Sequence, residues 1–132
     1  MIDAATQLIA LIGHPVEHSL SPRMHNGIYR CMNINSIYMA FDVLPENIGQ
    51  AVYGFCALQV RGFNVTVPHK QAVMPYLDAI DQTAALIGAV NTVANDKGRL
   101  IGYNTDGSGF MRSLAYRGID VRGRDVLLLG AG

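Results

Sequence analysis

The alternation of strand patterns with helical patterns constrains the fold of this chain more than any other feature. Residues 7–13 form a short apolar run that ends in glycine, and residues 36–43 and 61–67 are rich in strand-forming side chains. Between these runs apolar side chains recur at helical spacing, first after Ser21 and again over residues 46–58. Strands that alternate with helices predict an α/β fold, with a mostly parallel open sheet and helices on both faces.

Local signals place several helix ends. Ser21 followed by Pro22 predicts a helix start, with serine as the N-cap and proline at the first position. A helix is predicted over residues 69–77 with a kink or break at Pro75. A short helix is predicted to begin at a capping Asp81 and to end at glycine.

The second half of the chain predicts a hairpin, a helix and one more strand. Residues 89–96 and 99–104 are strand-like and are separated by Asp-Lys-Gly, a turn signal. A helix follows from Asp106 to Arg117, and residues 124–129 are a further apolar run of the kind found in buried strands.

Composition excludes several classes of partner. Ten basic and ten acidic residues cancel, so no basic surface is expected for nucleic acid. No apolar run is long enough to span a bilayer, and the N-terminus lacks the basic region of a secretory signal, so no membrane partner is expected. Cys31 and Cys56 have no metal-ligand spacing and are interpreted as free buried thiols, which with the other features predicts a cytoplasmic protein without a metal site.

Four polar segments follow or interrupt the apolar runs, and the first spans residues 13–22. Ser19 and Ser21 stand just before a helix N-terminus, where free N–H groups and the helix dipole favour a carboxylate or phosphate. Spacing alone favours the simpler interpretation, in which Ser21 is only a cap and Ser19 only a turn residue. His18 is interpreted as a surface side chain.

The second segment spans residues 62–70. Asn64, Thr66 and Lys70 are expected to converge where a strand gives way to a helix. Amide and hydroxyl groups suit a polyhydroxylated ligand, and a lysine in a cleft can polarise a carbonyl or exchange a proton. The alternative is a solvated Lys70 at a helix start, where the helix dipole opposes its charge.

Asn91 and Asp106 mark the third and fourth segments. Asn91 lies in an otherwise apolar strand and needs partners for its amide, which a ligand or the backbone can supply. Asp106 can cap the helix that follows it, which is the commoner role for such a residue, or it can face Lys70 as a carboxylate.

These segments together resemble shikimate dehydrogenases, and the resemblance covers essentially the whole chain. The shared motifs, in the family's order and spacing, are Ser19-Leu20-Ser21-Pro22, Asn64-Val65-Thr66-Val67-Pro68-His69-Lys70, Gly88-Ala89-Val90-Asn91-Thr92 and Asn104-Thr105-Asp106-Gly107. Leu129-Gly130-Ala131-Gly132 is similar to the start of the family's cofactor loop.

The resemblance implies an activity and a role for each matched residue. The family reduces 3-dehydroshikimate reversibly to shikimate, usually with NADPH, in aromatic amino-acid biosynthesis. By resemblance Ser19 and Ser21 hold the substrate carboxylate, and Lys70 with Asp106 forms the catalytic pair. The ring hydroxyls are implied to bind Asn64, Thr66, Asn91 and Asp106.

The end of the chain is expected to belong to a second domain. A strand over residues 124–129 followed by Gly130, Ala131 and Gly132 is how a Rossmann-type dinucleotide-binding unit begins, although Gly-x-Gly alone is a weak motif. We expect a substrate-binding and catalytic domain over residues 1–117, then a linker and a truncated cofactor domain over 118–132. Such a fragment is expected to be inactive alone, and its unpaired strand to fray or self-associate.

Two other functions compete with this interpretation. A shikimate/quinate dehydrogenase fits the same serine pair, because quinate differs from shikimate by one ring hydroxyl. A non-catalytic shikimate-binding module needs the pocket, but it does not need both Lys70 and Asp106.

Overall fold

The computed structural model describes residues 2–130, which form five helices and a six-stranded sheet. The strands are β1 (Gln7–Gly13), β2 (Ser36–Asp42), β3 (Gly62–Val65), β4 (Ala79–Ile80), β5 (Thr92–Asp96) and β6 (Arg99–Tyr103). The helices are α1 (Ser21–Cys31), α2 (Ile48–Ala57), α3 (His69–Ala72), α4 (Gln82–Ile87) and α5 (Asp106–Tyr116). Single 3₁₀ turns precede α2 at Pro45–Asn47 and follow α3 at Met74–Tyr76.

The sheet has the strand order β2-β1-β3-β5-β6-β4. β1 pairs in parallel with β2 and β3, and β4 pairs in parallel with β6. The hairpin of β5 and β6 was predicted and is present, and it makes β5 antiparallel to both of its neighbours. The predicted α/β class with a mostly parallel sheet is therefore confirmed.

Helices cover both faces of the sheet because the central strand β1 is apolar on both. Ala10 and Ile12 belong to the larger core, into which α2 inserts Val52. Leu11 points to the opposite face, where it packs in a smaller buried cluster with Val16 and Tyr38. Tyr29 of α1 packs against this smaller cluster.

Several helix ends follow the sequence signals, and one does not. Asp81 caps α4 by accepting a hydrogen bond from the Thr83 amide (2.9 Å), and Gly88 ends that helix in the left-handed conformation. The helix predicted over residues 69–77 is interrupted, because α3 ends at Ala72 and a 3₁₀ turn that contains Pro75 follows it. Ser21, however, is the first residue of α1 rather than its cap, because Leu20 takes the cap position without a side-chain bond.

The prediction of a strand over residues 124–129 is wrong for this chain. These residues form no strand, and four successive side chains, Val126 to Leu129, are between 66% and 87% exposed. A strand needs a neighbour to receive its backbone hydrogen bonds, and this segment pairs with none of residues 2–123.

The two cysteines are free, but they are not both buried as predicted. Cys31 is exposed, whereas Cys56 is half-buried and its thiol donates to the Gly98 carbonyl. Among residues 2–130 no helix is long and apolar enough to cross a membrane.

Candidate functional site

The four polar segments meet at one edge of the sheet. β1 and β3 are parallel, so Ser19 and Thr66 follow strands that end on the same side. β5 runs the opposite way, so its start faces the end of β3, with Asn64 paired to Thr92. Asn91 therefore precedes β5 instead of lying within it, and it still reaches the common edge.

Lys70 and Asp106 form an ion pair at this edge. Lys70 Nζ lies 2.5 Å from Asp106 Oδ2. Lys70 stands in the short helix α3, whereas Asp106 is the first residue of α5. Asp106 does not cap α5, because Thr105 occupies the cap position. Of the two roles predicted for Asp106, a helix cap or a carboxylate that faces Lys70, the second is the one found in the structure.

The neighbours of Asp106 keep it ionised. Burial alone would raise the pKa of this carboxyl, but hydrogen bonds from Lys70 and Asn91 and the charge of Lys70 outweigh burial and hold the pKa below its usual value. The pair is accessible to a ligand, since the Lys70 side chain is 32% exposed and that of Asp106 is 55% exposed.

Asn91 holds Asp106 in place. Its amide nitrogen donates to Asp106 Oδ1 (2.8 Å) and to Thr105 Oγ1 (2.9 Å). Its amide oxygen accepts from the Thr105 backbone (3.0 Å) and from Thr92 Oγ1 (2.9 Å). Asn91 thus joins the start of β5 to the start of α5 and leaves no amide proton unused.

Asn64 lies at the centre of the same network. Its amide nitrogen donates to the Asn91 carbonyl (3.2 Å) and to Thr92 Oγ1 (3.1 Å). Its amide oxygen accepts from the hydroxyl of Tyr38 (2.8 Å). The backbone amide of Val90 donates to the Lys70 carbonyl (2.8 Å), which fixes α3 against the same segment.

A small cavity of about 330 Å³ adjoins this network. It is lined by Leu11, Pro15, Val16, His18, Ser19, Ser21 and Thr66. Ser19 Oγ accepts from the backbone amide of Ser21 (3.2 Å), so the two predicted hydroxyls are neighbours at the start of α1. Thr66 stands four residues before Lys70, and its carbonyl accepts from the first amide of α3.

Gly13 allows Thr66 to approach this cavity. A methyl group at Gly13 would collide with Thr66 Cγ2 and would lie 3.2 Å from the Val67 carbonyl oxygen. The end of β1 and the end of β3 therefore come together only because residue 13 has no side chain.

A family model described as the shikimate dehydrogenase substrate binding domain matches residues 11–93. The chain belongs to this family. A shikimate dehydrogenase (NADP(+)) of Moorella thermoacetica is 56% identical over 99% of this chain and 44% of its own length. The chain spans about half the length of the curated relatives that it matches.

Solved structures show the same architecture. A shikimate 5-dehydrogenase from Listeria monocytogenes, in complex with shikimate and NAD, is 45% identical with a TM-score of 0.89, over 91% of this chain and 42% of that one. A 5-ketofructose reductase of a Gluconobacter species is 38% identical with a TM-score of 0.84, over 86% of this chain and 41% of that one.

The predicted site residues of this chain fall into two neighbouring groups and the predicted cofactor loop. Lys70, Asp106, Asn91 and Asn64 are joined by hydrogen bonds, and Ser19, Ser21 and Thr66 line the adjacent cavity. Of the predicted cofactor loop, Gly130 has a φ of 98°, which suits a glycine turn, while Ala131 and Gly132 lie outside the described residues.

The sequence pattern did not indicate three further polar residues beside the site, His14, Asp42 and His69. His14 Nδ1 lies 2.8 Å from Asp42 Oδ1, at the ends of β1 and β2. His69 is fully buried and its Nε2 donates to the Val43 carbonyl (2.6 Å), which anchors α3 beside Lys70. Only His14 carried a usable signal, because it directly follows a predicted strand.

Proposed function

We propose that this chain is the substrate-binding half of an NADP-dependent shikimate dehydrogenase. The proposed reaction is the reversible reduction of 3-dehydroshikimate to shikimate in aromatic amino-acid biosynthesis, in the cytoplasm. The observation that carries the proposal is the Lys70–Asp106 pair, 2.5 Å apart and accessible beside a cavity that presents two serine hydroxyls. Membership of the family and relatives named for this activity support it.

The chemistry assigned to Lys70 follows from the charge that develops during ketone reduction. A nicotinamide cofactor, when bound, would supply the hydride that adds to the carbonyl carbon. As the carbonyl π bond breaks, negative charge develops on the ring oxygen, and the Lys70 ammonium stabilises it and donates a proton. Asp106 orients that ammonium, and its low pKa keeps it an acceptor near neutral pH. In the reverse direction neutral Lys70 accepts the hydroxyl proton.

Substrate binding is assigned to the two groups of residues described above. Ser19 and Ser21 are proposed to hold the substrate carboxylate, because they lie together at the start of α1, where backbone amides and the helix dipole favour an anion. Thr66, which lines the same cavity, is proposed to bind a ring hydroxyl. Asn64, Asn91 and Asp106 are proposed to bind the remaining hydroxyls. Asn64 would accept through its amide oxygen, since both of its amide protons are engaged within the protein. The Asn91 amide oxygen already accepts from Thr105 and Thr92, so a substrate hydroxyl would replace one of these bonds.

Residues 1–117 are proposed to form the substrate-binding and catalytic domain, followed by a linker and the start of a dinucleotide-binding domain over 118–132. The exposed apolar side chains of residues 126–129 support this division, because a Rossmann-type sheet would bury them. In the isolated chain the same segment is proposed to promote self-association.

Two alternatives remain distinct from this proposal. The first is a shikimate/quinate dehydrogenase, because quinate differs from shikimate by one ring hydroxyl and fits the same serine pair. The likeness to a 5-ketofructose reductase is consistent with a different substrate, since that protein shares the architecture and is named for another ketone. A non-catalytic shikimate-binding module is disfavoured by the Lys70–Asp106 pair, since binding alone does not require a proton donor in contact with a carboxylate.

The test is a substrate comparison with the full-length enzyme. Oxidation of shikimate and of quinate should be followed with NADP⁺ and with NAD⁺, from the absorbance of the reduced cofactor. We expect shikimate with NADP⁺ to have the highest kcat/KM. Comparable turnover of quinate would favour the shikimate/quinate alternative. Shikimate binding without any turnover would favour the binding module.

A further inference from the structure

Tyr38 of β2 is a buried tyrosine whose hydroxyl reaches the candidate site. Only 2% of the residue is exposed. Its hydroxyl donates to Asn64 Oδ1 at 2.8 Å, across the 26 residues that separate them in the chain. A buried phenol needs a polar partner, and here that partner is a side chain assigned to the substrate.

This hydrogen bond fixes the orientation of the Asn64 side-chain amide, that is, which way its oxygen and its nitrogen point. With Oδ1 turned to the Tyr38 hydroxyl, Nδ2 donates to the Asn91 carbonyl and to Thr92 Oγ1, so both amide protons are used. Only one lone pair of Oδ1 remains for a ligand. A flipped amide would turn its oxygen towards the Asn91 carbonyl and would lose that hydrogen bond.

Tyr38 is itself held on two sides by α1. The Asn26 side chain donates to the Tyr38 carbonyl (2.8 Å) and accepts from the Tyr38 amide (2.9 Å). The His25 ring stacks on the Tyr38 ring, with centroids 4.3 Å apart and planes 10° from parallel. The phenol therefore stands in a preorganised position before any ligand arrives.

The same side chain supports the cavity. Tyr38 packs in one buried cluster with Leu11 and Val16, and both of these residues line the cavity beside Ser19. One tyrosine thus contacts the apolar wall of the serine cavity and the amide at the centre of the hydrogen-bond network.

We propose that Tyr38 is a positioning residue of the substrate site, which orients Asn64 so that its amide oxygen accepts a hydrogen bond from a ring hydroxyl of the substrate. The inference deepens the proposed function and rests on it. It assigns Tyr38 to substrate affinity and leaves proton transfer to Lys70 and Asp106.

The first test is Tyr38→Phe in the full-length enzyme. Loss of one hydrogen bond should raise KM for shikimate about three- to tenfold and leave kcat within about twofold. The matched control is Tyr29→Phe, since Tyr29 packs against the same cluster but its hydroxyl bonds to no other residue within 2–130. That variant should match the wild type, because it removes a phenol hydroxyl that does not reach Asn64.

A double-mutant cycle with Asn64→Ala tests whether Tyr38 acts through Asn64. In the Asn64→Ala background, Tyr38→Phe should add less than about twofold to KM. Three results would overturn the inference: the same rise in KM in both backgrounds, an unchanged KM for Tyr38→Phe alone, or a loss confined to kcat. The proposed function would still stand in each case if the wild-type enzyme turned over shikimate. A wild type that does not turn over shikimate would overturn both.

A second measurement does not depend on how well the variant folds. In the wild-type protein the Asn64 side-chain amide protons should stay protected from solvent exchange when shikimate binds, because both remain bonded inside the protein. Direct donation from Asn64 to the ligand, seen as replacement of these bonds in a shikimate complex, would contradict the proposed orientation.

Discussion

Lys70 Nζ and Asp106 Oδ2 lie 2.5 Å apart, although 36 residues separate them in the chain. The contact exists because α3 follows β3 and α5 follows β6, and the ends of both strands lie at one edge of the sheet. The fold thereby brings two residues that are distant in the sequence into a charged pair that could exchange a proton with a ligand.

Lys70→Ala in the full-length enzyme should lower kcat for shikimate oxidation about 10²- to 10⁴-fold, with a much smaller change in KM. The reason is that in this direction neutral Lys70 accepts the hydroxyl proton as hydride leaves the ring carbon, and this proton transfer takes place only in the transition state. Steady-state kinetics measure both constants. Lys97→Ala is the control, because Lys97 lies in the β5–β6 turn at the other end of the hairpin. Equal losses in kcat and in affinity would argue that Lys70 only binds substrate.

The carboxyl of Asp106 should titrate with a pKa below that of an ordinary aspartate, because Lys70 and Asn91 stabilise the charged form. A lowered folded-state pKa means that this stabilisation is present above the unfolded value and is lost as the pH falls through the folded value. Carbon NMR of the Asp106 carboxyl measures the shift. Asn91→Ala should move the pKa upwards, since it removes one donor. An unmoved titration would show that Asn91 does not act on Asp106.

Tyr38 should make the fold sensitive to alkali. Burial raises the pKa of Tyr38 to about 12, the nearby Tyr29 adds to the rise, and a hydrogen bond from Ser21 opposes it. The neutral phenol therefore contributes fully below pH 10, and its contribution of roughly 2–3 kcal/mol is lost as the pH rises through about 12.

Urea unfolding at pH values of about 9 and about 11.5, on either side of the ordinary tyrosine pKa, measures this contribution. Tyr38→Phe should lose less stability between the two pH values than the wild type, because it has no phenol to ionise. Tyr116→Phe is the control, as Tyr116 is 94% exposed. The same pH dependence in Tyr38→Phe as in the wild type would contradict the assignment.

Gly13→Ala should weaken shikimate binding, because the added methyl displaces Thr66 from the cavity wall. Calorimetric titration of the purified chain measures the affinity. The matched control is Gly27→Ala in α1, where an added methyl meets nothing within 4 Å and should stabilise the helix by about 0.5–1 kcal/mol. Unchanged affinity in Gly13→Ala would show that the position of Thr66 does not matter.

The sequence predicted those parts of the fold that depend on local pattern. The apolar run of β1, the Asp81 cap and the β5–β6 turn are read from neighbouring residues, and all three are present. The strand over residues 124–129 failed because a strand depends on a neighbour that its own residues do not specify.

In the candidate site, too, some residues could be predicted from the sequence and others could not. Lys70 and Asp106 were assigned as a pair through the family resemblance, whereas local reasoning favoured a capping role for Asp106, which Thr105 takes instead. Tyr38 looks like any strand tyrosine, and its partner Asn64 lies on another strand. His69 gave no signal either, because its buried bond to the Val43 carbonyl depends on how α3 packs against the end of β2.

The most direct test of the central claim is a shikimate titration of this chain followed by backbone amide NMR. We expect saturable shifts at Ser19, Ser21, Lys70, Asn91 and Asp106, because these residues are already assembled within residues 2–130. The β5–β6 turn around Lys97 should not shift, since it lies at the far end of the hairpin. A folded spectrum without saturable shifts at those five residues would contradict a preformed shikimate site in this chain.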